Sequence, residues 1–309
     1  MFVKWSAAGL VGAGVCRPGM ARAKAGKDAP MPTRPLGRTG YNVSLFSLGG
    51  EGVIKRPGFE DEAEKIIHRA LDLGVNYIDT APSYGRGLSE RNIGRVMANR
   101  RQEVFLASKT HDRSYDGTMR LVEQSLQRLQ TDSLDLYQLH NLRLERDLHR
   151  AFAQNGACRA LTNLKEQGVV RYIGLTGHRD PAILRRGIEQ RAFDCILMTL
   201  NAADSHALPF QDDVLPDAVD RNLGIIAMKV PAHGRLLRAD GVPTMTKALG
   251  YVWSFPVSTA IVGISEMAQL EENVEITKRF EPYSETMRTQ IAALTRHYHE
   301  EASWFKYHW

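Results

Sequence analysis

Between residues 43 and 265 the chain alternates short apolar runs, rich in Val, Ile, Leu and aromatic residues, with longer stretches whose apolar positions recur at helical spacing. The runs are VSLFSLGG (43 to 50), VNYIDT (75 to 80), VFLASKT (104 to 110), LDLYQLH (134 to 140), VRYIGLTGH (170 to 178), FDCILMTLN (193 to 201), GIIAMKV (224 to 230) and TAIVGIS (259 to 265), eight in all. Near-continuous apolarity suits strands of a parallel sheet buried on both faces. In FEDEAEKIIHRALDLG (59 to 74), Ile66, Ile67, Ala70, Leu71 and Leu73 share one helical face, acidic residues open the first turn and Gly74 suits the stop. Strand then helix, eight times over, predicts an α/β chain folded as a (β/α)8 TIM barrel. A doubly wound sheet is the alternative, but no GxGxxG follows the first strand, and the glycines at 9 to 14 precede every strand.

The segment before the first strand, TRPLGRTGYN (33 to 42), carries turn signals at Gly37 and at Thr39-Gly40 and predicts a small N-terminal hairpin. After the eighth run, residues 266 to 280 and 283 to 301 read as additional C-terminal helices. The expected organisation is therefore a leader over residues 1 to 30 and one barrel domain over 31 to 309. The leader has an early lysine, a weak Ala/Gly/Val stretch and an A-x-A site at Ala21, Arg22 and Ala23, which reads as a signal peptide too short to span a bilayer. Its FVK and weak apolar run resemble the part of a twin-arginine export signal that follows the arginine pair. The expectation is a start upstream of Met1 and export, already folded, to the periplasm; a disordered basic arm on a cytoplasmic protein is the alternative.

Charge changes the picture little. The net charge is +5, but residues 1 to 40 hold seven basic groups against Asp28 alone, so the body carries about −1 and nucleic acid is not an expected partner. Cys16, Cys158 and Cys195 are far apart with no ligand spacing, so neither a disulfide framework nor a zinc site is expected. His297, His299 and His308 sit on a polar stretch with Glu300 and Glu301, which reads as a solvated face rather than a metal cluster. No heptad or long apolar edge calls for a dimer, so a monomer without a stable membrane anchor is expected.

In a barrel of this kind chemistry gathers where strands end at the C-terminal face. Asp79 and Lys109 each lie one residue before the end of the second and third runs, His140 ends the fourth, and Tyr84 follows Asp79 by five residues. Singly, each has an ordinary structural explanation; together they form a device for protonating an oxygen. A free phenol, with a pKa of about 10, is a poor acid near neutrality. A lysine beside it favours the phenolate, Asp79 keeps that lysine charged in a desolvated pocket, and His140 orients the reacting oxygen.

NYIDTAPSYG (76 to 85), SKT (108 to 110) and LYQLH (136 to 140) together resemble the aldo-keto reductase family over roughly residues 33 to 280. The resemblance implies that Tyr84 is the general acid, supported by Lys109 and Asp79, with His140 as orienting group. It implies hydride transfer from a reduced nicotinamide dinucleotide to a small-molecule aldehyde or ketone, with no metal. It also explains the missing glycine fingerprint, since the family binds its cofactor extended across a barrel. Within the fifth run, IGLTGH (173 to 178) resembles a bacterial branch and places Thr176 where the family's serine contacts the nicotinamide carboxamide, followed by Gly177, also expected at the cofactor, and His178 where many members have asparagine and an aromatic.

The cofactor positions depart from the better-known members. Leu197 stands where a glutamine is common, and Met228 where an aromatic ring covers the nicotinamide. Gly263 and Gln269 stand where a lysine and an arginine clamp a 2′-phosphate. Lys229, Gly234 and Arg235 belong to the stretch expected over the pyrophosphate, Glu272 and Asn273 match the adenine end, and Glu266 would favour a free 2′-hydroxyl if it faced the ribose. NADP(H) is favoured by the family as a whole, with NAD(H) possible. Two other functions compete: a nucleotide-binding redox sensor or regulatory subunit with little turnover, and an aldolase using Lys109 as a Schiff base. Loops 51 to 58, 111 to 116, 141 to 157 and 201 to 211 are expected to wall the substrate pocket.

Overall fold

The computed structural model describes residues 29–308; the expected leader lies outside them. The first elements are an antiparallel pair, β1 (Thr33–Pro35) and β2 (Asn42–Ser44), with Arg34 opposite Val43. Their turn passes through Gly37 at φ 49°, where a Cβ would lie 2.2 Å from the carbonyl carbon of Leu223. Only glycine tolerates both the left-handed conformation and that approach. Leu36 and Val43 then pack with Tyr77, Phe105 and Leu136 near the strand starts, closing the N-terminal end of the barrel.

The barrel comprises β3 (Phe46–Gly52), β4 (Tyr77–Asp79), β5 (Phe105–Thr110), β6 (Leu134–Leu139), β7 (Val170–Gly177), β8 (Cys195–Thr199), β9 (Gly224–Met228) and β10 (Thr259–Ile264), all parallel, with β10 pairing back to β3. The run read as one strand over 43 to 50 is two. Leu45 N donates to Pro32 O at 2.8 Å while Leu45 O accepts from Ala260 N at 3.1 Å and from Trp253 Nε1 at 2.9 Å, so the chain changes sheets at this residue. Both sheets bury it, and apolarity therefore gives no sign of the switch.

Around the barrel lie α1 (Glu60–Asp72), α2 (Leu88–Arg100), α3 (Tyr115–Leu129), α4 (Glu145–Phe152), α5 (Ala157–Glu166), α6 (Pro181–Gln190), α7 (Val214–Asp220), α8 (Met245–Trp253) and α9 (Met267–Lys278). The first of them buries Ala63, Ile66, Ile67, Ala70 and Leu71 and stops at Gly74, φ 89°, whose N–H reaches Leu71 O at 2.9 Å while Val75 N reaches Ala70 O at 3.0 Å. α4 corrects the expectation of an irregular loop over 141 to 157. It is nucleated by Asp147, whose Oδ2 accepts from the N–H groups of Arg143 and Leu144, both at 3.0 Å.

Strand alternation decides which side chains reach the mouth. Tyr77 on β4, Phe105 and Ala107 on β5, Leu136 on β6, Cys195 and Leu197 on β8, and Ile226 and Met228 on β9 fill the interior, while Ile78, Leu106, Tyr137, Ile196 and Ile225 pack outward under the helices. Continuing the inward parity leads to Asp79, Lys109, and Gln138 followed by His140. A one-residue slip would turn all of them outward.

The C-terminal helices α10 (Glu285–Leu294), α11 (His299–Ala302) and α12 (Phe305–His308) pack against the loop that follows β8. Lys306 and Asp204 are fully buried and paired, and Lys306 Nζ also donates to Ala207 O and, at 2.8 Å, to Leu208 O. Removing one partner of a buried ion pair leaves the other charge uncompensated. Lys306→Met is expected to lower unfolding stability by about 3–5 kcal/mol, read from denaturant midpoints. A loss below about 1 kcal/mol would mean that this tail does not hold the loop.

Candidate active site

Asp79 and Lys109 are 1% exposed and form an ion pair inside the C-terminal end of the barrel. Lys109 Nζ also donates to Thr80 O at 2.8 Å and reaches the Tyr84 hydroxyl at 3.5 Å. The second carboxylate oxygen of Asp79 accepts from Gln138 Nε2 at 3.4 Å. The Tyr84 and His140 rings meet edge to face with centroids 5.8 Å apart. The turn that presents Tyr84 passes through Gly85 (φ 58°) and Arg86 (φ 54°), so the phenol is aimed back over the strand it follows. The four side chains predicted to converge do converge.

Their electrostatics differ in one respect from the expectation. Burial, reinforced by the negative charges of Asp79 and Glu51, holds the Tyr84 phenol well above its ordinary range. The ammonium was expected to lower it. Desolvation wins because Lys109 is already engaged by Asp79 and its attraction for a phenolate is largely cancelled there. Burial also raises Asp79, against the opposing pull of Lys109. His140 is driven well below the usual imidazole range by burial and then by the Lys109 charge, so it stands neutral.

Beside these groups opens a cleft of about 530 Å³. Asp79 and Tyr84 line it, together with Met228, Lys229, Gly234, Gln269, Glu272 and Asn273 from the predicted cofactor set. Arg235 is not on that wall; its guanidinium lies 4.8 Å from the Trp304 ring centre. Thr176 and Gly177 are not on that wall either. Thr176 Oγ1 accepts from Asn141 N at 2.8 Å, and a Cβ on Gly177 would lie 2.8 Å from Leu142 O, so this strand end supports the turn after His140. Leu197 is buried among the interior apolar residues. Glu266 is exposed ahead of α9 and is not on the cleft wall.

A model of the aldo/keto reductase family matches residues 46–242, well over half of the chain. The chain belongs to the aldo/keto reductase family. The uncharacterized oxidoreductase YqkF of Bacillus subtilis is 27% identical over 292 residues, covering 79% of this chain and 90% of that protein. L-galactose dehydrogenase of Arabidopsis thaliana is 29% identical over 291 residues, covering 80% and 88%. Among solved structures, the holo form of aldo-keto reductase AKR11C1 from Bacillus halodurans superposes with a TM-score of 0.73 at 26% identity, covering 85% of this chain and 96% of that one. Membership implies NAD(P)H-dependent carbonyl reduction and makes the protein an oxidoreductase.

Several residues of this aldo-keto reductase escaped the sequence reading. Gln138 lies two positions before His140 and so on the same strand face, a signal that was there to be used. Glu51 and His233 had no such signal. Lys229 Nζ lies 3.0 Å from His233 Nε2 and 3.8 Å from Glu51, which itself accepts from Lys55 at 2.8 Å. Burial pulls Lys229 down to about 8 although Glu51 opposes it. Lys229, Ala232 and His233 all have φ between 48° and 62°, a cluster of left-handed non-glycine residues that tertiary contacts must impose. Among the described residues no group of three or more His, Cys, Asp or Glu side chains is placed to hold a metal. His297 pairs instead with Asp240 at 3.1 Å. Burial pushes the Cys158 thiol up to about 12 and the buried Cys195 higher still, which suits packing rather than reactivity.

Proposed function

We propose that the protein reduces an aldehyde or ketone to the alcohol with a reduced nicotinamide dinucleotide, and that Tyr84 delivers the proton. The observation that carries this reading is the meeting of Tyr84, Lys109, Asp79 and His140 beside the open cleft. A reduced dinucleotide held in the cleft would supply the hydride for the carbonyl carbon. Tyr84 gives its proton to the carbonyl oxygen as charge develops there, and His140, neutral, donates a second hydrogen bond that fixes the carbonyl's direction. Lys109 then stabilises the phenolate until solvent restores its proton. Asp79 holds Lys109 in place, and this engagement argues against the lysine serving as a Schiff-base nucleophile.

The residues of the cleft fit a dinucleotide. Asn273 Oδ1 is buried with no hydrogen-bond partner and would accept from the adenine amino group, with Glu272 beside it. Lys229 and Gly234 line the cleft and offer a pyrophosphate a cation and open backbone, with His233 beside Lys229, and Met228 offers a thioether face to the nicotinamide. NADP(H) is favoured by the family, with NAD(H) possible because Gln269 is neutral and its Oε1 is occupied by Ser265 N at 2.9 Å.

Titration of the tryptophan fluorescence with NADPH and NADH tests the assignment. Quenching by either supports it, while binding of neither would remove the reductase reading. Gln269→Arg is expected to raise the NADPH preference about tenfold by adding a charge-assisted hydrogen bond to a 2′-phosphate. An unchanged ratio would show that this position does not face the phosphate.

A further inference from the structure

A second cavity, of about 460 Å³, has His140 in its wall, together with Ser83, the residue before Tyr84. It therefore begins at His140, one of the two groups assigned to the carbonyl oxygen, while Tyr84, the other, lines the dinucleotide cleft, and the two cavities share no wall residue. The remaining wall is strongly basic: Arg113, Arg143, Arg146 and Arg179 with His111, against the single carboxylate of Asp147.

Among the described residues, only Arg113 of these cations meets an acid, at the long end of the ion-pair range. Asp147 Oδ2 is taken by the N–H groups of Arg143 and Leu144, both at 3.0 Å, and Asp147 Oδ1 stands 3.8 Å from Arg113 Nε. Asp112 Oδ1 accepts from Ser114 N at 2.8 Å and Ser114 Oγ at 2.7 Å. Glu145 pairs with Arg186 and lies 3.5 Å from His149. Among the described residues, Arg143, Arg146 and Arg179 form no ion pair within 4.0 Å.

Some of the donors are also buried without acceptors. Arg113, whose side chain is 10% exposed, uses one guanidinium nitrogen on His140 O and Asn141 O at 2.7 and 2.9 Å, but its Nε and Nη1 have no hydrogen-bond partner. Arg143 Nε is likewise buried and without a hydrogen-bond partner. Gathering four guanidinium groups and leaving donors unsatisfied is costly for a fold unless an anion completes the site. Guanidinium forks match carboxylate and phosphate oxygens two at a time.

We propose that this cavity is the distal subsite of the substrate pocket, and that the substrate is an anionic carbonyl compound carrying a carboxylate or phosphate a few bonds from the reacting carbon. The inference rests on the reductase reading above. Arg143 and Arg179 are the specificity residues. Arg113 is a positioning residue that ties the His140–Asn141 turn to the subsite, so anion binding and carbonyl orientation are set by one piece of backbone.

Two matched pairs test it in the full-length protein with NADPH: 4-oxobutanoate against uncharged 4-oxobutanamide, and glycolaldehyde phosphate against glycolaldehyde. The anionic member of at least one pair is expected to show kcat/KM about tenfold to a hundredfold higher, mainly through KM. Whichever pair shows it identifies the anion as carboxylate or phosphate. The preference is expected to fall toward one in Arg143→Ala and in Arg179→Ala, and to return in part in Arg143→Lys. Calorimetric titration of 4-hydroxybutanoate and 4-hydroxybutanamide gives the same comparison without turnover, and thermal melts confirm that each variant is folded. Equal kcat/KM within both pairs, or a preference that survives Arg143→Ala combined with Arg179→Ala, would overturn the subsite. Failure to reduce any of the four aldehydes, with calorimetric discrimination intact, would count against the reductase reading and in favour of the anion site.

Discussion

Tyr84→Phe is expected to lower kcat by about 10²- to 10⁴-fold at neutral pH, the range associated with a positioned general acid. The ring and its edge-to-face contact with His140 are kept, so the variant removes one hydroxyl and the proton it carries. Because burial and then Asp79 and Glu51 hold this phenol well above the ordinary tyrosine range, the proton is present at every working pH. An alkaline fall of kcat/KM below pH 9 in the unaltered enzyme should therefore not be assigned to Tyr84 in the free protein. The fluorescence titration with dinucleotide should keep its midpoint in the variant. A loss of kcat smaller than about tenfold would remove Tyr84 from the proton-donor role.

The second large effect is expected at Lys109. Replacing it by methionine deletes the ammonium and leaves Asp79 buried at 1% exposure with only the Gln138 amide as side-chain partner. Breaking a buried pair by removing one partner costs about 3–5 kcal/mol, so the denaturant midpoint should fall sharply together with activity. Lys109→Met combined with Asp79→Asn should regain much of the stability, because the uncompensated charge is gone. It should regain none of the turnover, because nothing stabilises the Tyr84 phenolate. Recovery of kcat with stability in the double variant would mean that Lys109 acts only as a structural partner of Asp79.

The residues of the proposed catalytic constellation were legible because each belongs to a short pattern. Asp79, Lys109 and His140 lie at or next to strand ends, and a parallel barrel brings successive strand ends to one face. Register does the rest: Asp79 pairs beside Ala107, and Lys109, two residues on, beside Gln138, so the polar groups occupy successive inward positions at the C-terminal end of the barrel. Boundaries were less legible where burial is continuous across a change of partner, as at Leu45, and where a helix is started by one carboxylate, as at Asp147. Of the expected cofactor residues, Met228, Lys229 and Asn273 reach the cleft, while Thr176 lies off its wall and accepts from Asn141 N after His140.

By itself the sequence determined what depends on period and order: eight strands, the helices that cover them, and the polar residues at the strand ends. These are local properties, set by whether apolar positions repeat at two, at 3.6 or continuously. Only the tertiary structure decided what depends on distance between remote residues. Arg113, Arg143 and Arg179 come from three separate loops and Arg146 from the first turn of α4, and nothing in their spacing announces a common cavity. The state of Tyr84 was likewise beyond the sequence. Lysine was the expected influence, but the outcome is a balance of desolvation and nearby charge that exists only once the barrel has closed around the group.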